Sequence, residues 1–481
     1  MANYTRLRDG LVLTQAEFCD CLFEKCCYKC NIGWAWRNND TLEVETGQVW
    51  REYFVINGCS DGNVPINTVA PVISGTIGVG NLFSTTNGTW TSDTGVTSYT
   101  YQWYRGATLI VGATNNTYTI QVADVDASIT VKVRAYDDDG GSLPATSNAI
   151  VIATVPTISV APVISGTNAV GQVLTSTTGT WSAVGAITYS YQWKRGVTNI
   201  GTNANTYTLV TADAGETITC EVTATTLAGA SSPSTSNSVY ILDADYYAVL
   251  ARGTALGYTL PDATLQVKQN ATVISLKSAG IWNKLDILRF YATNNSNMAT
   301  LNFKNPSAHQ SILVNSPLFT TNQGFKGNAS TSYINENFNP ATHGVQYTLN
   351  NASRFIYLKT AFVTPTMYVL DNVLGASQNM MQNRNSNDQK INQSGHVISS
   401  NADLSGAGLK VINRTSSTNV ELFNGSTQIS RTATSTSINS GNQWVLPSGC
   451  DACASVYAMG ASLVGEHAQL KIILDTYVNS L

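Results

Sequence analysis

The sequence predicts an all-β, multidomain protein assembled from β-sandwiches, with a small α+β region at its start. Three observations carry that expectation. Of 481 residues 43% are hydrophobic and only 12% charged; Thr, Ser, Asn and Gly supply the polar surface, a balance that suits β-rich proteins with polar rather than ionic exteriors. The phrase "YQWYRG" at 101–106 returns as "YQWKRG" at 191–196, so the chain contains an internal repeat. Within each repeat the hydrophobic period is two: Ile129, Val131, Val133 and Ala135 alternate with Thr130, Lys132, Arg134 and Tyr136, the pattern of a strand buried on one face.

The repeat extends well beyond the phrase. "APVISGTIGVGNLFSTTNGTW" (70–90) matches "APVISGTNAVGQVLTSTTGTW" (161–181), "NNTYTIQVADVDASITVKVRAY" (115–136) matches "ANTYTLVTADAGETITCEVTAT" (204–225), and "TSN" at 146–148 recurs at 235–237. A period of about 90 residues is one domain per copy, which gives modules at 67–154 and 155–242. Turn signals such as "TNG", "SDTG" and "DDDGG" divide each module into short strands, as an antiparallel sandwich requires. Trp103 and Trp193 are expected to fill the space between two sheets, with the following Arg and Gly marking the exit to a turn. Trp90 and Trp181 are expected in the core as well, and Cys220 falls on the core position that Val131 holds in the first copy, where a free thiol behaves as a small apolar group.

Residues 1–66 differ in character. Thr14 with Glu17 forms a capping box, and Cys19, Phe23, Cys26 and Cys30 follow at helical spacing, predicting a short amphipathic helix that ends near Asn31-Ile32-Gly33. Thr41 to Ile56 alternates as one or two strands. "NVPINTVAP" and "ATVPTISVAP" read as linkers into the two modules. From Asp243 the repeat stops, and 243–481 reads as one larger all-β domain with many short alternating segments, among them "TLQVKQNATVISLKS", "LDILRFYAT" and "TSTNVELFNGSTQISRT". Only "VGEHAQLKIILDTYVNSL" has helical spacing there, with Leu470, Ile473, Leu474 and Tyr477 on one face.

Charge excludes some partners. The net charge of -4 gives no basic footprint for nucleic acid and no polybasic patch for a membrane. The sequence has neither an apolar run of about 18 residues nor an export signal at its start.

The "GTW", "YTYQWYRG"/"YSYQWKRG" and "TYTIQVADVDASITVKV"/"TYTLVTADAGETITCEV" segments resemble the immunoglobulin-like modules of tailed-bacteriophage virion proteins and bacterial surface proteins. The inter-sheet cystine of antibody domains is missing, since the first copy has no cysteine and the second only Cys220. The C-terminal region resembles a concanavalin-like, laminin-G-like jelly-roll domain of phage structural proteins through "ARGTALGYTLP" (251–261), the segment 299–340, "NNAS" (350–353) and "MGASL" before the final helix. The resemblance implies a virion component.

A jelly-roll of that kind can be a glycosidase, for which two carboxyl groups about 5 Å apart are needed. The acids beyond residue 242 are Asp243, Asp245, Asp262, Asp286, Glu336, Asp371, Asp388, Asp403, Glu421, Asp451, Glu466 and Asp475. Only Asp243 and Asp245 are close in sequence, and they sit at the linker, so no catalytic residue is assigned. Cys19, Cys21, Cys26, Cys27, Cys30 and Cys59 leave three readings open: reduced thiols in a helical seam, disulfides, or a metal site. Cys450 and Cys453, in an expected loop, read as a local disulfide or two inert thiols. "DDDGG" (137–141) reads as a tight turn rather than a calcium cradle, because the second copy has "TLAGA" in its place. His309, His343, His396 and His467 are scattered, without triad or ligand spacing. No metal, cofactor-binding or catalytic residue is therefore named, and no cofactor is expected.

Adhesion is what remains. Tyr, Trp and Asn, abundant here, stack on and hydrogen-bond to sugars, and two modules in series multiply weak contacts where geometry allows both to engage. The expected protein is a non-catalytic virion component of capsid or tail. Residues 1–66 would attach it to other virion proteins, and its sandwiches would contact host-surface or mucus glycans, as a homo-oligomer for which a trimer is one form. The rival readings are a polysaccharide-degrading tail spike and a bacterial surface adhesin.

Overall fold

In the computed structural model the described residues run from 64 to 481, apart from 139, 329–330, 362–366, 373–378, 384–387, 394–396, 399–405, 426 and 447–449; before 64 only the backbone of four short strands is described. These strands, Asn3–Arg6, Val12–Thr14, Trp36–Asn38 and Val44–Glu45, pair antiparallel in one sheet. The helix expected between Thr14 and Gly33 and the six N-terminal cysteines named above lie outside the described residues. The chain is all-β and multidomain, as its sequence predicts. By contacts it divides into two compact units, Met1–Pro162 with Thr178–Tyr191 and Val222–Thr235, and Val163–Thr177 with Gln192–Glu221 and Ser236–Leu481.

In the first repeat the long strands Ser98–Arg105 and Ser128–Asp137 pair antiparallel, with Val131 opposite Trp103. They form one sheet, and Thr117–Thr119, Leu82–Thr85 and Ile73–Ser74 form a sheet facing it. The burial of Ser128–Asp137 alternates residue by residue, and Ile129, Val131 and Val133 meet Ile73, Phe83, Trp103 and Tyr118 in one apolar core. In the second repeat Ile164, Leu174, Trp193, Leu209, Ile218 and Cys220 are buried in the same way. Cys220 is thus core, whereas Trp90 and Trp181 are half-buried.

Four letters of the repeated phrase, Gln, Trp, Arg and Gly, have a structural cause. The Trp103 ring stacks on Tyr118 at 5.4 Å and its Nε1 donates to Asn115 O at 2.9 Å; Trp193 stacks on Tyr207 at 5.7 Å and donates to Ala204 O at 2.8 Å. Gln102 Nε2 donates to Trp103 O and Ile110 O, and Gln192 Nε2 to Trp193 O and Ile200 O, pinning the hairpin that follows. Gly106 and Gly196 turn that hairpin at φ 56° and 54°, where a side chain is disfavoured.

The arginine is more than a turn marker. Arg105 Nε donates to the fully buried Asp124 at 2.8 Å, and Tyr118 Oη and Gln121 N donate to the other carboxylate oxygen at 2.6 and 2.7 Å. Arg195, Tyr207 and Val210 N surround Asp213 identically. Burial, then the bond to Asp124, pushes the Tyr118 hydroxyl up to about 12. The recurring "TSN" is explained too: Asn148 Oδ1 accepts from Ile73 N and Asn237 Oδ1 from Ile164 N, both at 2.7 Å, while Ser147 and Ser236 accept from Val131 N and Cys220 N. "DDDGG" makes a hairpin, with Asp137 opposite Gly140.

The C-terminal region has three layers. An eight-stranded sheet lies in the middle, running Leu318–Thr320, Gly324–Lys326, Cys453–Gly460, Ala352–Leu358, Gly408–Arg414, Asn419–Asn424 and Thr427–Thr432, with Leu285–Phe290 also paired to Cys453–Gly460. On one side Phe355, Tyr357, Leu409, Val411, Phe423 and Val456 pack against the helices Ala244–Ala255, Ala263–Ser278 and His467–Ser480. On the other side Ile356, Leu358, Ile412, Leu422, Tyr457 and Met459 pack against Ile334, Leu370, Met381, Ile391 and Val445 of a seven-stranded sheet. That sheet runs Ile312–Val314, Tyr333–Asn335, Gln443–Val445, Met367–Asn372, Asn379–Asn383, Asp388–Ile391 and Val397–Ile398. Because both faces of Cys453–Gly460 are covered, all eight of its residues are buried.

Two helices correct the sequence reading, one in place of an expected strand and one in place of an expected linker. "TLQVKQNATVISLKS" is helical: Asp262 caps it, accepting from Leu265 N at 2.8 Å, and Leu265, Gln269, Thr272, Val273 and Leu276 form its buried face. Its accidental alternation at Leu265, Val267 and Gln269 loses to the cap and to burial at helical spacing. Asp243 is not in a linker but caps Ala244–Ala255, accepting from Asp245 N at 2.9 Å. Leu242 and Ala169 of the second repeat belong to the helix-side core, and Asn270 Oδ1 accepts from Asp243 N at 2.7 Å. The repeat therefore joins this region through shared core. The closing helix, His467–Ser480, buries Leu470, Ile473, Leu474 and Tyr477 as its spacing predicts.

Candidate ligand-binding face

Of the two outer faces of this sandwich, helices cover that of the eight-stranded sheet. The outer face of the seven-stranded sheet has no such layer among the described residues. Strand alternation decides what it presents: Ile334, Val445 and Gln443 point inward and are buried, so Tyr333, Asn335 and Trp444 point outward and are half-buried. Asn335 lies opposite Trp444, and Asp371 opposite it on the other side. The Tyr333 and Trp444 rings stack with centroids 4.3 Å apart at 30°. Beside them Val314 pairs with Tyr333 and the exposed Ile312 with Asn335. A rigid aromatic pair rimmed by an amide and aliphatic side chains offers an apolar platform for the C–H face of a sugar ring and hydrogen-bonding groups at its edge.

Most of the acids named from the sequence that fall among the described residues hold structure together, whereas Asp403 and the side chain of Asp388 lie outside them. Glu336 is buried between the sheets, where it accepts from Arg289 Nε at 2.7 Å, from Ser311 Oγ at 3.0 Å and from Tyr291 Oη. Asp286 accepts from the backbone N–H groups of Val345, Gln346 and Tyr347. Asp243 and Asp245 share Lys277, each at 2.6 Å, Glu466 pairs with Lys284 at 2.6 Å, and Asp475 accepts from Tyr357 Oη at 2.6 Å. Glu421 is buried, and desolvation pushes its carboxyl up. Among the described residues no three His, Cys, Asp or Glu side chains are grouped as metal ligands would be.

Cys450 and Cys453 are free, buried thiols, and Cys453 opens a central strand rather than lying in a loop. Desolvation pushes them up to about 12 and about 11, far from the thiolate that reacts. Iodoacetamide at neutral pH is accordingly expected to leave Cys220, Cys450 and Cys453 unmodified in the native chain and to modify all three after unfolding. Peptide mass spectrometry reads the outcome, and rapid native labelling of Cys450 or Cys453 would contradict it.

The histidines are not all scattered. His467 is buried, stacked on Phe423 at 5.1 Å, with Asn413 Nδ2 bonded to its Nε2. His309 and His343 lie ring to ring with centroids 4.3 Å apart; His396 lies outside the described residues. No sequence signal marks either this pair or Tyr333 with Trp444, whose members are brought together by strand register and a loop.

No protein-family model matches the chain, and no curated relative matches it. Among solved structures it is similar to a set of domains from titin, at 14% identity over 37% of this chain and 61% of that chain, with a TM-score of 0.21. It is also similar to the three N-terminal domains of the Highly Immunogenic Outer Capsid protein of bacteriophage RB49, at 16% identity over 49% of this chain and 86% of that chain, with a TM-score of 0.22. A third is Trypanosoma rangeli sialidase in complex with sialic acid, at 8% identity over 84% and 77% of the two chains, with a TM-score of 0.30. The chain thus spans less than two thirds of the titin fragment.

Proposed function

We propose that this chain is a non-catalytic structural protein of a tailed-phage virion that binds glycans through the outer face of its seven-stranded sheet. The observation that carries the binding role is the Tyr333–Trp444 stack on the sandwich face that no helix layer covers among the described residues. The virion setting rests on the phage-like segments of its sequence, and the tandem modules serve as stiff spacers built by one repeated plan. Residues 1–66 anchor the chain to other virion proteins, and assembly as a homo-oligomer multiplies weak sugar contacts.

The test is retention of the purified chain on immobilised mucin and capsular glycans. Trp444→Ala is expected to weaken binding by about thirtyfold, as loss of a central aromatic anchor does. Its unfolding midpoint should stay close to that of the parent, because the ring lies on the outer face of the sheet and outside the buried core. Equal retention of Trp444→Ala and Tyr333→Ala with the parent would overturn the assignment of this face. Release of new reducing ends from those glycans would replace binding by cleavage.

A further inference from the structure

We propose that His309 and His343 form a second, hydroxyl-reading subsite of the same glycan site, active only while both imidazoles are neutral. The inference rests on the binding role of the Tyr333–Trp444 face and deepens it by naming the chemistry read: adjacent hydroxyl groups of an uncharged sugar.

The hydrogen bonds of the pair set opposite tautomers. His309 Nδ1 lies 3.1 Å from Asn337 O; a carbonyl only accepts, so Nδ1 carries the proton and Nε2 presents a lone pair. His343 Nδ1 accepts from Asn339 N at 3.0 Å, so in the neutral ring the proton sits on Nε2. One ring therefore offers an acceptor and its neighbour a donor. Two adjacent sugar hydroxyls, each able to donate and accept, match that pair, with one donating to His309 Nε2 and the other accepting from His343 Nε2–H. The same opposition disfavours a metal ion, because neutral His343 has no Nε2 lone pair to give.

The pair is held in place from beneath. His309 has φ 55°, unusual for a residue other than glycine, and such strain concentrates where geometry serves a site. Its carbonyl is gripped by Arg289 Nη2, and Arg289 is itself fixed by Glu336 within the core. Phe338, buried, meets the His309 ring edge-on at 5.4 Å and the His343 ring at 5.8 Å. His343 is exposed and His309 half-buried. Asn337, which anchors His309, lies two residues beyond Asn335, the strand partner of Trp444, so Tyr333 and His343 share the run 333–343, and Trp444 and His309 are each held to that same run.

The charged groups around the pair are Arg289, Glu336 and, past His343, Asp286 on the N–H groups of residues 345–347. Burial first, then His343 and Arg289, hold His309 below the ordinary histidine range. His309 therefore stays neutral at neutral pH and takes up a proton only on acidification. Protonating His343 at Nδ1 would also set its new N–H against the Asn339 N–H.

The test uses the full chain labelled with 13C at histidine, which has four histidines and so four ring signals to follow. The probes are methyl α-mannoside, methyl β-galactoside, lactose, maltose and N,N'-diacetylchitobiose, with tryptophan fluorescence as a separate measure of binding. A probe that binds is expected to shift the His309 and His343 signals at about pH 7.5 and to bind about tenfold more weakly at about pH 5. His309→Asn keeps a donor toward Asn337 and tolerates positive φ; His343→Asn keeps an acceptor for Asn339. Each should weaken binding about three- to tenfold, and together they should flatten the pH dependence. If a probe loses affinity with Trp444→Ala yet leaves both histidine signals unmoved and binds both Asn variants as the parent, the subsite is overturned while the aromatic face stands. If no probe binds the parent, both fall.

Discussion

A Glu336→Ala chain is expected to lose about 3–5 kcal/mol of stability in its C-terminal domain, the cost of leaving one member of a buried ion pair without the other. Arg289 has no exposed surface, and its Nη1 already lacks a partner among the described residues. Removing the carboxylate strands a guanidinium in the core and also orphans Tyr291 Oη and Ser311 Oγ, which both donate to Glu336. Glu336→Gln should fall between parent and Ala, since it keeps the shape but not the charge. The apolar double replacement Arg289→Met with Glu336→Leu should recover most of the loss, because a well-packed apolar pair avoids the desolvation that the ions suffer. Denaturant unfolding followed by near-ultraviolet circular dichroism measures all three. A loss under about 1 kcal/mol for Glu336→Ala would mean that water reaches the pair, contrary to its burial.

Trp103→Ala and Trp193→Ala are each expected to cost about 3–5 kcal/mol, the range for deleting a fully buried large aromatic ring. Each ring is completely inaccessible, each stacks on a tyrosine, and each Nε1 satisfies a loop carbonyl that would be left bare. Neither module has a cystine to limit the damage, since Cys220 is a free thiol. The two losses should be alike, because the surrounding Gln, Arg–Asp–Tyr and Ser–Asn contacts recur position by position. Thermal unfolding of the single variants gives the comparison. A small effect at one tryptophan and a large one at the other would show that the repeats, though built alike, depend on different contacts. Trp444→Ala is the contrast: the same side-chain volume is deleted, but from the outer face of a sheet rather than the buried core, and binding rather than stability should fall.

What could be read from the sequence follows from locality. The repeats, the alternating strands and the helix at 467–480 are written in nearest-neighbour periodicity, and Trp103, Trp193 and Cys220 fall on the buried phase of that pattern. The antiparallel pairing of Asn419–Asn424 with Thr427–Thr432 is likewise local, its strands only two residues apart in sequence. Where two periods competed, local pattern alone misled: the segment 264–278 alternates on paper, but Asp262 caps a helix whose buried face packs on the eight-stranded sheet. The arginine of the repeated phrase was visible, yet its partner Asp124 lies 19 positions away, and nothing in the phrase points to it.

By itself, then, the sequence determined the all-β class, the duplicated module and the residues that fill its core, because burial on one face of a strand imposes a two-residue rhythm that any reader of the chain can see. Only the tertiary structure decided which aromatic rings face outward on the seven-stranded sheet, that Arg289 and Glu336 form a buried ion pair, and that His309 and His343 lie ring to ring. Those facts depend on register and layering between segments distant along the chain. Pairing of that kind is set by the whole packed core, and no short stretch of residues encodes it.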